Sequence, residues 1–282
     1  MVIGPPARTR GRTLSVRQAA EDDCCFQAAT ALCPEMSPRG FSLSQLDAVA
    51  WLEALPAESL DLVITDPPYE SLEKHRAVGT TTRLKKSKAS SNEWFDIFPN
   101  SRFPELFAAV YRALKPNTHF YLFCDQETMF VAKPIAEQVG FKFWKPLVWD
   151  KQKIGMGYHY RARYEFILFF EKGKRRLHDL GVADVISEPR VFNGYPTEKP
   201  VPVSEVLVRQ STDEGALVAD PFAGSSSTGV AALRQGRMFS GNDLSTVAIE
   251  TSRGRLLAEG GVEQAVCTSE NDAAEPQLLL AL

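Results

Sequence analysis

Long apolar runs are missing from this 282-residue chain. That removes a membrane-spanning helix from the expected architecture. The start, Met1-Val2-Ile3-Gly4-Pro5-Pro6, lacks the charged and apolar regions of a signal peptide. Cysteine is scarce and odd in number, with five in all. Cys24 and Cys25 are adjacent, Cys33, Cys124 and Cys267 stand alone, and no zinc-type double pair is formed. Reduced thiols in a cytoplasmic protein are expected. Histidine is rarer still, at four. His159 has no second His or Cys at ligand spacing, so no metal site is expected. Positive charge is not in excess either: the net charge is -3. Nucleic-acid binding would have to come from a local basic surface. No internal repeat is visible. The hydrophobic share, 44%, is ordinary and sufficient for a packed core. The length suits one α/β domain with or without a small appendage.

What is present gathers around Asp66-Pro67-Pro68-Tyr69. Leu60-Asp61-Leu62-Val63-Ile64-Thr65 precedes it and reads as a buried strand. Open α/β folds place their chemistry where such a strand ends. Two prolines fix φ twice and remove two N–H donors. The Asp66 carboxylate and the carbonyls of Asp66, Pro67 and Pro68 remain as acceptors. Tyr69 is expected to add an aromatic face at the rim. Acceptors beside an aromatic plate can hold an exocyclic amine while its ring stacks. A plain turn after a strand is the bland alternative.

A second stretch repeats the pattern of strand, small-residue loop and helix: Val218-Ala219-Asp220-Pro221-Phe222-Ala223-Gly224-Ser225-Ser226-Ser227-Thr228. The pair resembles the amino-group DNA methyltransferases that use S-adenosylmethionine. Their catalytic motif is (Asp/Asn/Ser)-Pro-Pro-(Tyr/Phe) and their cofactor loop Asp-Pro-Phe-x-Gly-Ser-Gly-Thr. The catalytic motif comes first here, as in the permuted, beta-type group. Ser226 stands where glycine is usual. Tyr195-Pro196-Thr197-Glu198-Lys199-Pro200 is similar to the family's His-Pro-Thr-Gln-Lys-Pro, which lines the methionine end of the cofactor. Gly241-Asn242-Asp243 matches the family's Gly-x-(Asp/Glu), whose acid holds the ribose.

The resemblance implies a catalytic set of Asp66, Pro67, Pro68 and Tyr69. It implies cofactor contacts from Asp220, Phe222, Ala223, Gly224, Ser225, Ser226, Thr228, Asp243, Thr197 and Lys199. Asp47 joins them, although Leu46 replaces the usual preceding glycine and a helix N-cap suits Asp47 equally.

Periodicity divides the chain into an irregular extension, 1–40, a methyltransferase-like domain, 41–258, and a tail, 259–282. Arg8, Arg10, Arg12 and Arg17 make the extension basic; a solvated tail is the simpler reading. Helices are expected near 45–55, 103–114, 129–139, 203–210, 228–235 and 247–257. Pro134 is expected at a helix start or a kink. Strands are expected near 41–43, 119–124, 141–149, 163–170, 217–220 and 238–243. The last helix-free pair, 141–149 and 163–170, reads as a hairpin. The fold expected is an α/β, Rossmann-like methyltransferase sheet of seven strands, mostly parallel with one antiparallel, helices on both faces, and Asp66 and Asp220 ending neighbouring strands.

Two polar stretches, 70–94 and 171–194, are candidate DNA-contacting inserts. The first carries Lys85, Lys86 and Lys88, the second Lys174, Arg175 and Arg176. Tyr158, Tyr160 and Arg161 lie in a glycine- and aromatic-rich loop that the family often keeps near the flipped base. Solvated lysines and exposed turn aromatics are the plain alternatives. Since Lys and Arg favour phosphates over base edges, a short or relaxed recognition sequence is expected.

The resemblance thus implies a cytoplasmic enzyme, bacterial or phage-encoded, that methylates the N6 amine of adenine in DNA after flipping the base. N4-methylation of cytosine is the runner-up, and RNA stays open as a substrate. A homodimer and a cognate restriction enzyme stay open as partners. A protein-glutamine methyltransferase would place its cofactor loop upstream. A catalytically silent nucleic-acid-binding module is the alternative from another class, and S-adenosylmethionine binding would separate it from an enzyme.

Overall fold

The computed structural model describes residues 39–70, 96–155, 159–192, 194–195 and 197–264. The extension before residue 39, most of the 70–94 stretch and the tail after residue 264 lie outside the described residues, as do Lys85, Lys86, Lys88 and Tyr158.

The strands are β1 (Gly40–Ser44), β2 (Leu60–Thr65), β3 (Leu114–Cys124), β4 (Lys142–Asp150), β5 (Tyr164–Lys172), β6 (Val185–Ser187), β7 (Leu217–Asp220), β8 (Met238–Asn242) and β9 (Val262–Glu263). They form one sheet in the order β6-β4-β5-β3-β2-β7-β8-β1-β9. Among the described residues nine strands therefore replace the seven expected. The additions are the edge strands β6 and β9, of three and two residues, too short to show a periodicity in the sequence. Among the described strands β5 alone runs antiparallel, against both β3 and β4. The expected adjacency of β2 and β7 is present, with Leu62 opposite Val218 and Val63 opposite Ala219.

The helices are α1 (Ala48–Ala54), α2 (Phe103–Ala113), α3 (Gln126–Val139), α4 (Val201–Ser211), α5 (Ser227–Arg234) and α6 (Thr246–Ala258). Helices α1 to α3 cover one face, where Trp51, Phe107 and Val110 meet Val63, Phe120 and Leu122. The other face packs Val203, Leu207, Val230 and Leu256, from α4 to α6, on Leu62, Ile64, Tyr121 and Phe239. Successive residues of β2 and β3 thus enter opposite cores, which is why both strands read as unbroken apolar runs.

Helix α3 begins earlier than its apolar pattern suggests, because Asp125 caps it by accepting from Thr128 N at 2.8 Å. Pro134 therefore sits inside the helix, not at its start. It lies on the exposed side, where water can take the carbonyl that its missing N–H leaves unpaired.

His119 is fully buried. Its Nδ1 and the Tyr121 hydroxyl each lie 2.8 Å from Ser211 Oγ. Burial pushes the imidazole down to about 4. Below pH ~6.5 the unfolded chain takes up this proton and the folded one does not, so stability falls as pH drops from there towards 4. Between pH 7 and 5 the His119 share is about 2 kcal/mol. Urea unfolding of the wild type and His119→Gln at both pH values isolates it, since other titrations cancel in the difference. Equal losses in the two proteins would remove His119 as the source.

Candidate functional site

Strands β1, β2, β3, β7 and β8 all end on one side of the sheet, and their loops enclose a cavity of about 550 Å³. Asp66 and Tyr69 line it from the β2 loop, Asp220, Phe222 and Gly224 from the β7 loop, and Asp243 from the β8 loop. The two motifs are tied directly. Asp220 Oδ1 accepts from Thr65 Oγ1 at 2.8 Å and from Phe222 N at 3.0 Å. Burial raises the Asp220 carboxyl to about 7.

The β7 loop turns into α5 through two left-handed residues, Gly224 at φ 54° and Ser226 at φ 55°. Glycine is usual at the second position because it takes this conformation without strain. Ser226 takes it fully buried and donates to Ser252 Oγ at 2.7 Å, while Ser252 donates to Gly224 O at 2.9 Å. Asp243 braces the same loop, accepting from Gly224 N and Ser245 N, each at 2.9 Å. Burial raises the Asp243 carboxyl. Asn242 joins the loop to β1, donating to Pro221 O and exchanging bonds with Leu46 N and O. Those bonds use only the Leu46 backbone, so the glycine usual there is not needed.

Asp47 lines the cavity and also caps α1, accepting from Val49 N and Ala50 N. Arg102 grips it through Nη1 at 2.7 Å and Nη2 at 2.9 Å, and the hydrogen bond holds its carboxyl below the usual range. Arg102 also lies 5.2 Å from the centre of the Phe98 ring. Phe98 meets Phe222 edge-on at 5.1 Å, and the two give the cavity an aromatic wall. Phe98 was not singled out in the sequence; it follows a stretch that reads as polar insert.

The Asp66 turn departs from expectation in two ways. The Pro68 carbonyl is occupied by Phe98 N at 2.8 Å, which leaves the Asp66 carboxylate and the Pro67 carbonyl as the candidate acceptors. Tyr69 is not at the rim. It is 7% exposed and belongs to the core under α2, because its bridge to Phe98 draws it inward.

Lys199, expected on the cofactor, lines the cavity, bonds Asp66 Oδ2 and lies 3.5 Å from Glu165 Oε2. Lys151 holds the other oxygen of Glu165. Lys151, Glu165, Lys199 and Asp66 form a chain of alternating charge, the last three lining the cavity. Burial pushes the Asp66 carboxyl up, and the Lys199 ammonium pulls against that rise. Burial acts the same way on Glu165, but Lys199 and Lys151 together hold it below the ordinary range. The sequence signal for Glu165 was one acid inside an apolar strand, a position that must be paired to be kept.

Glu198 replaces the usual Gln and accounts for its charge by pairing with Arg255 at 3.0 Å. Arg255 also donates to Ser225 O and Oγ, both at 2.8 Å, which fixes the 195–200 loop to the cofactor loop. Thr197 lines the cavity with φ 61°. Ala223, Ser225 and Thr228 line it too.

Of the DNA-contact candidates, Tyr160 and Arg161 are exposed and lie in the β4–β5 loop, at the cavity end of the sheet. Lys174, Arg175 and Arg176 are corrected. Lys172 pairs with Thr118, whereas Phe166 pairs with Cys124 at the cavity end. The three therefore lie beyond the far end of β5, roughly 20 Å from the site. Arg175 there pairs with Asp213 at 3.0 Å. Arg190, which lines the cavity, and Lys153, whose ammonium sits 5.4 Å from the exposed Phe192 ring, are the basic groups that the sequence reading missed.

A family model described as DNA methylase matches residues 60–253. The chain is 28% identical over 251 residues to the DNA adenine methyltransferase YhdJ of Escherichia coli K12, covering 74% of this chain and 80% of that protein. Among solved structures it resembles the PvuII DNA methyltransferase, described as cytosine-N4-specific, with a TM-score of 0.61 and 17% identity over 81% of this chain and 97% of that one. It resembles M1.HpyAVI in complex with S-adenosylmethionine with a TM-score of 0.54 and 19% identity, covering 76% and 98%.

Proposed function

The chain belongs to the DNA methylase family, and from that premise we propose that it methylates the N6 amine of adenine in DNA. The observation that carries the reading is Asp66: a carboxylate on a proline-locked turn, braced by Lys199, beside the cofactor loop in one cavity. Its cofactor is S-adenosylmethionine. The residues present fit that molecule. Phe98 and Phe222 form an aromatic wall for a flat base, and Asp243 is an acceptor for a ribose diol. When bound, the cofactor supplies an electrophilic methyl group on a sulfonium.

The rest of the reaction is assigned to this chain's side chains. An aromatic amine is a weak nucleophile because its lone pair is delocalised into the ring. Asp66 and the Pro67 carbonyl each accept one N–H of the amine, which orients the nitrogen and helps localise the lone pair. As the nitrogen becomes an ammonium, both acceptors are already aimed at the growing positive charge. The ammonium then passes one proton to the Asp66 carboxylate, which leaves the methylated amine neutral. Holding the two reacting atoms in line supplies much of the remaining acceleration. A paired base cannot reach this cavity, so it must be flipped out of the duplex.

Asp at the head of the motif, and the likeness to an adenine methyltransferase, favour adenine. Methylation of the cytosine N4 amine is the second reading, favoured by the likeness to the PvuII enzyme. Incubating the full chain with unmodified DNA and labelled S-adenosylmethionine, followed by nucleoside mass spectrometry, decides between them. N6-methyladenine is expected. N4-methylcytosine alone would establish the second reading, and no methylated nucleoside would overturn both. The 70–94 stretch with Lys85, Lys86 and Lys88, together with Tyr158, Tyr160, Arg161, Lys153 and Arg190, are the proposed DNA-facing groups.

The burial of Tyr69 changes what its variants should do. Tyr69→Ala opens the core and should cost about 3–5 kcal/mol of stability, with activity lost as a consequence. Tyr69→Phe keeps the ring and should retain kcat/KM within about threefold, since stacking on a ring face needs no hydroxyl. Thermal melts and initial rates on both variants separate the effects. A stably folded but inactive Phe variant would assign the role to the hydroxyl.

A further inference from the structure

The ammonium of Lys199 stands in the cavity wall, bonded to the carboxylate assigned to the amine. Lys199 lines the cavity beside Asp66, Tyr69 and Trp149. It binds Asp66 Oδ2, reaches Glu165 Oε2 at 3.5 Å and lies 5.5 Å from the centre of the Phe123 ring. Lys151 fixes Glu165 from the other side. Asp66 takes one of the three N–H donors of the ammonium, and Glu165 faces it at ion-pair distance. A bare counter-ion for Asp66 would not require this second carboxylate or its own lysine. The arrangement locks the position of a donor directly next to the carboxylate assigned to the amine.

Adenine and cytosine share one feature on their pairing edge. The amine is adjacent to an acceptor ring nitrogen, N1 in adenine and N3 in cytosine. Guanine sets an N–H donor beside its amine on that edge, and thymine has no amine. A carboxylate next to an ammonium is the complement of an amine next to an acceptor. We propose that Lys199 is a specificity-determining residue that donates to the ring nitrogen adjacent to the target amine. The proposal rests on the base-methylating reading above and deepens it. It moves Lys199 from the cofactor to the base. It also explains why Lys199 is held by two acids within the cavity wall.

The test replaces that nitrogen by C–H. Duplexes carry the mapped methylation site with either the natural base or its deaza analogue: 1-deazaadenine if adenine is methylated, 3-deazacytosine if cytosine is. Wild-type protein should prefer the natural base by about 10- to 100-fold in kcat/KM, as expected for a lost hydrogen bond to a charged donor. In Lys199→Met the preference should shrink to about threefold or less, because no donor remains to be lost. Intrinsic differences between the two bases cancel in this comparison. If Lys199→Met is too slow to assay, competitive binding of the two duplexes by the sinefungin-loaded protein reads the same preference. Lys199→Arg, which keeps a donor, should restore part of it. An unchanged preference in Lys199→Met, in rate or in binding, would overturn the proposal and leave Lys199 as a positioning residue for Asp66. Failure of the wild type to methylate the natural duplex would instead overturn the functional reading on which the proposal stands.

Discussion

Asp66→Ala is expected to reduce methyl transfer by about 10²–10⁴-fold while changing cofactor affinity by less than about threefold. The loss is large because the carboxylate does three things at one point. It accepts an amine N–H, it faces the developing ammonium, and it binds Lys199. Alanine removes all three and leaves the Lys199 ammonium with Glu165 as its remaining acid partner in this cluster. Cofactor affinity should hold because Phe222, Gly224 and Asp243 belong to other loops and keep their own bonds. Asp66→Asn is a useful companion: it keeps the shape and one acceptor but not the charge, and should lie between the two. Initial rates with labelled cofactor and calorimetric titration of S-adenosylmethionine measure the two halves. Full activity in Asp66→Ala would sink the mechanism. A parallel loss of cofactor binding would move Asp66 out of the base pocket and into the cofactor site.

Asp243→Ala is expected to weaken S-adenosylmethionine binding by about 10- to 100-fold. Two contributions add. The side chain is the acceptor proposed for the ribose hydroxyls, and it also holds the cofactor loop through Gly224 N and Ser245 N. The second contribution is visible only in the structure. It predicts a modest fall in thermal stability of the cofactor-free protein as well, since two backbone donors lose their partner. Measuring the dissociation constant and the melting temperature without cofactor tests both. An unchanged dissociation constant would exclude Asp243 from the cofactor site, whatever happens to stability.

Much of this was legible in the sequence. The run Leu60 to Thr65 reads as a buried strand, and His119 to Cys124 reads as another. A small-residue loop after β7 and an acid after β8 marked two loops that line the cavity. The opening of both motifs onto one crevice followed from strand ends. These inferences succeed because periodicity and turn chemistry are local properties, written in residues a few positions apart. Pro134 shows where local reasoning misleads. A cap at Asp125 moved the helix start, and exposure made the proline tolerable.

The sequence by itself determined the α/β class, the two motifs and the loops that carry them. The tertiary structure decided the rest. It moved Tyr69 from rim to core, bound Lys199 to Asp66, and sent Lys174, Arg175 and Arg176 to the far end of the sheet. The physical reason is the same in each case. Burial and charge pairing join residues far apart in the chain, such as Lys199 with Asp66 and Arg255 with Glu198. The direction in which β5 runs fixes which of its ends faces the cavity. The partner of a buried charge is not encoded in spacing along the chain; it is settled when the sheet forms and each charge must find a counter-charge in a place water cannot reach.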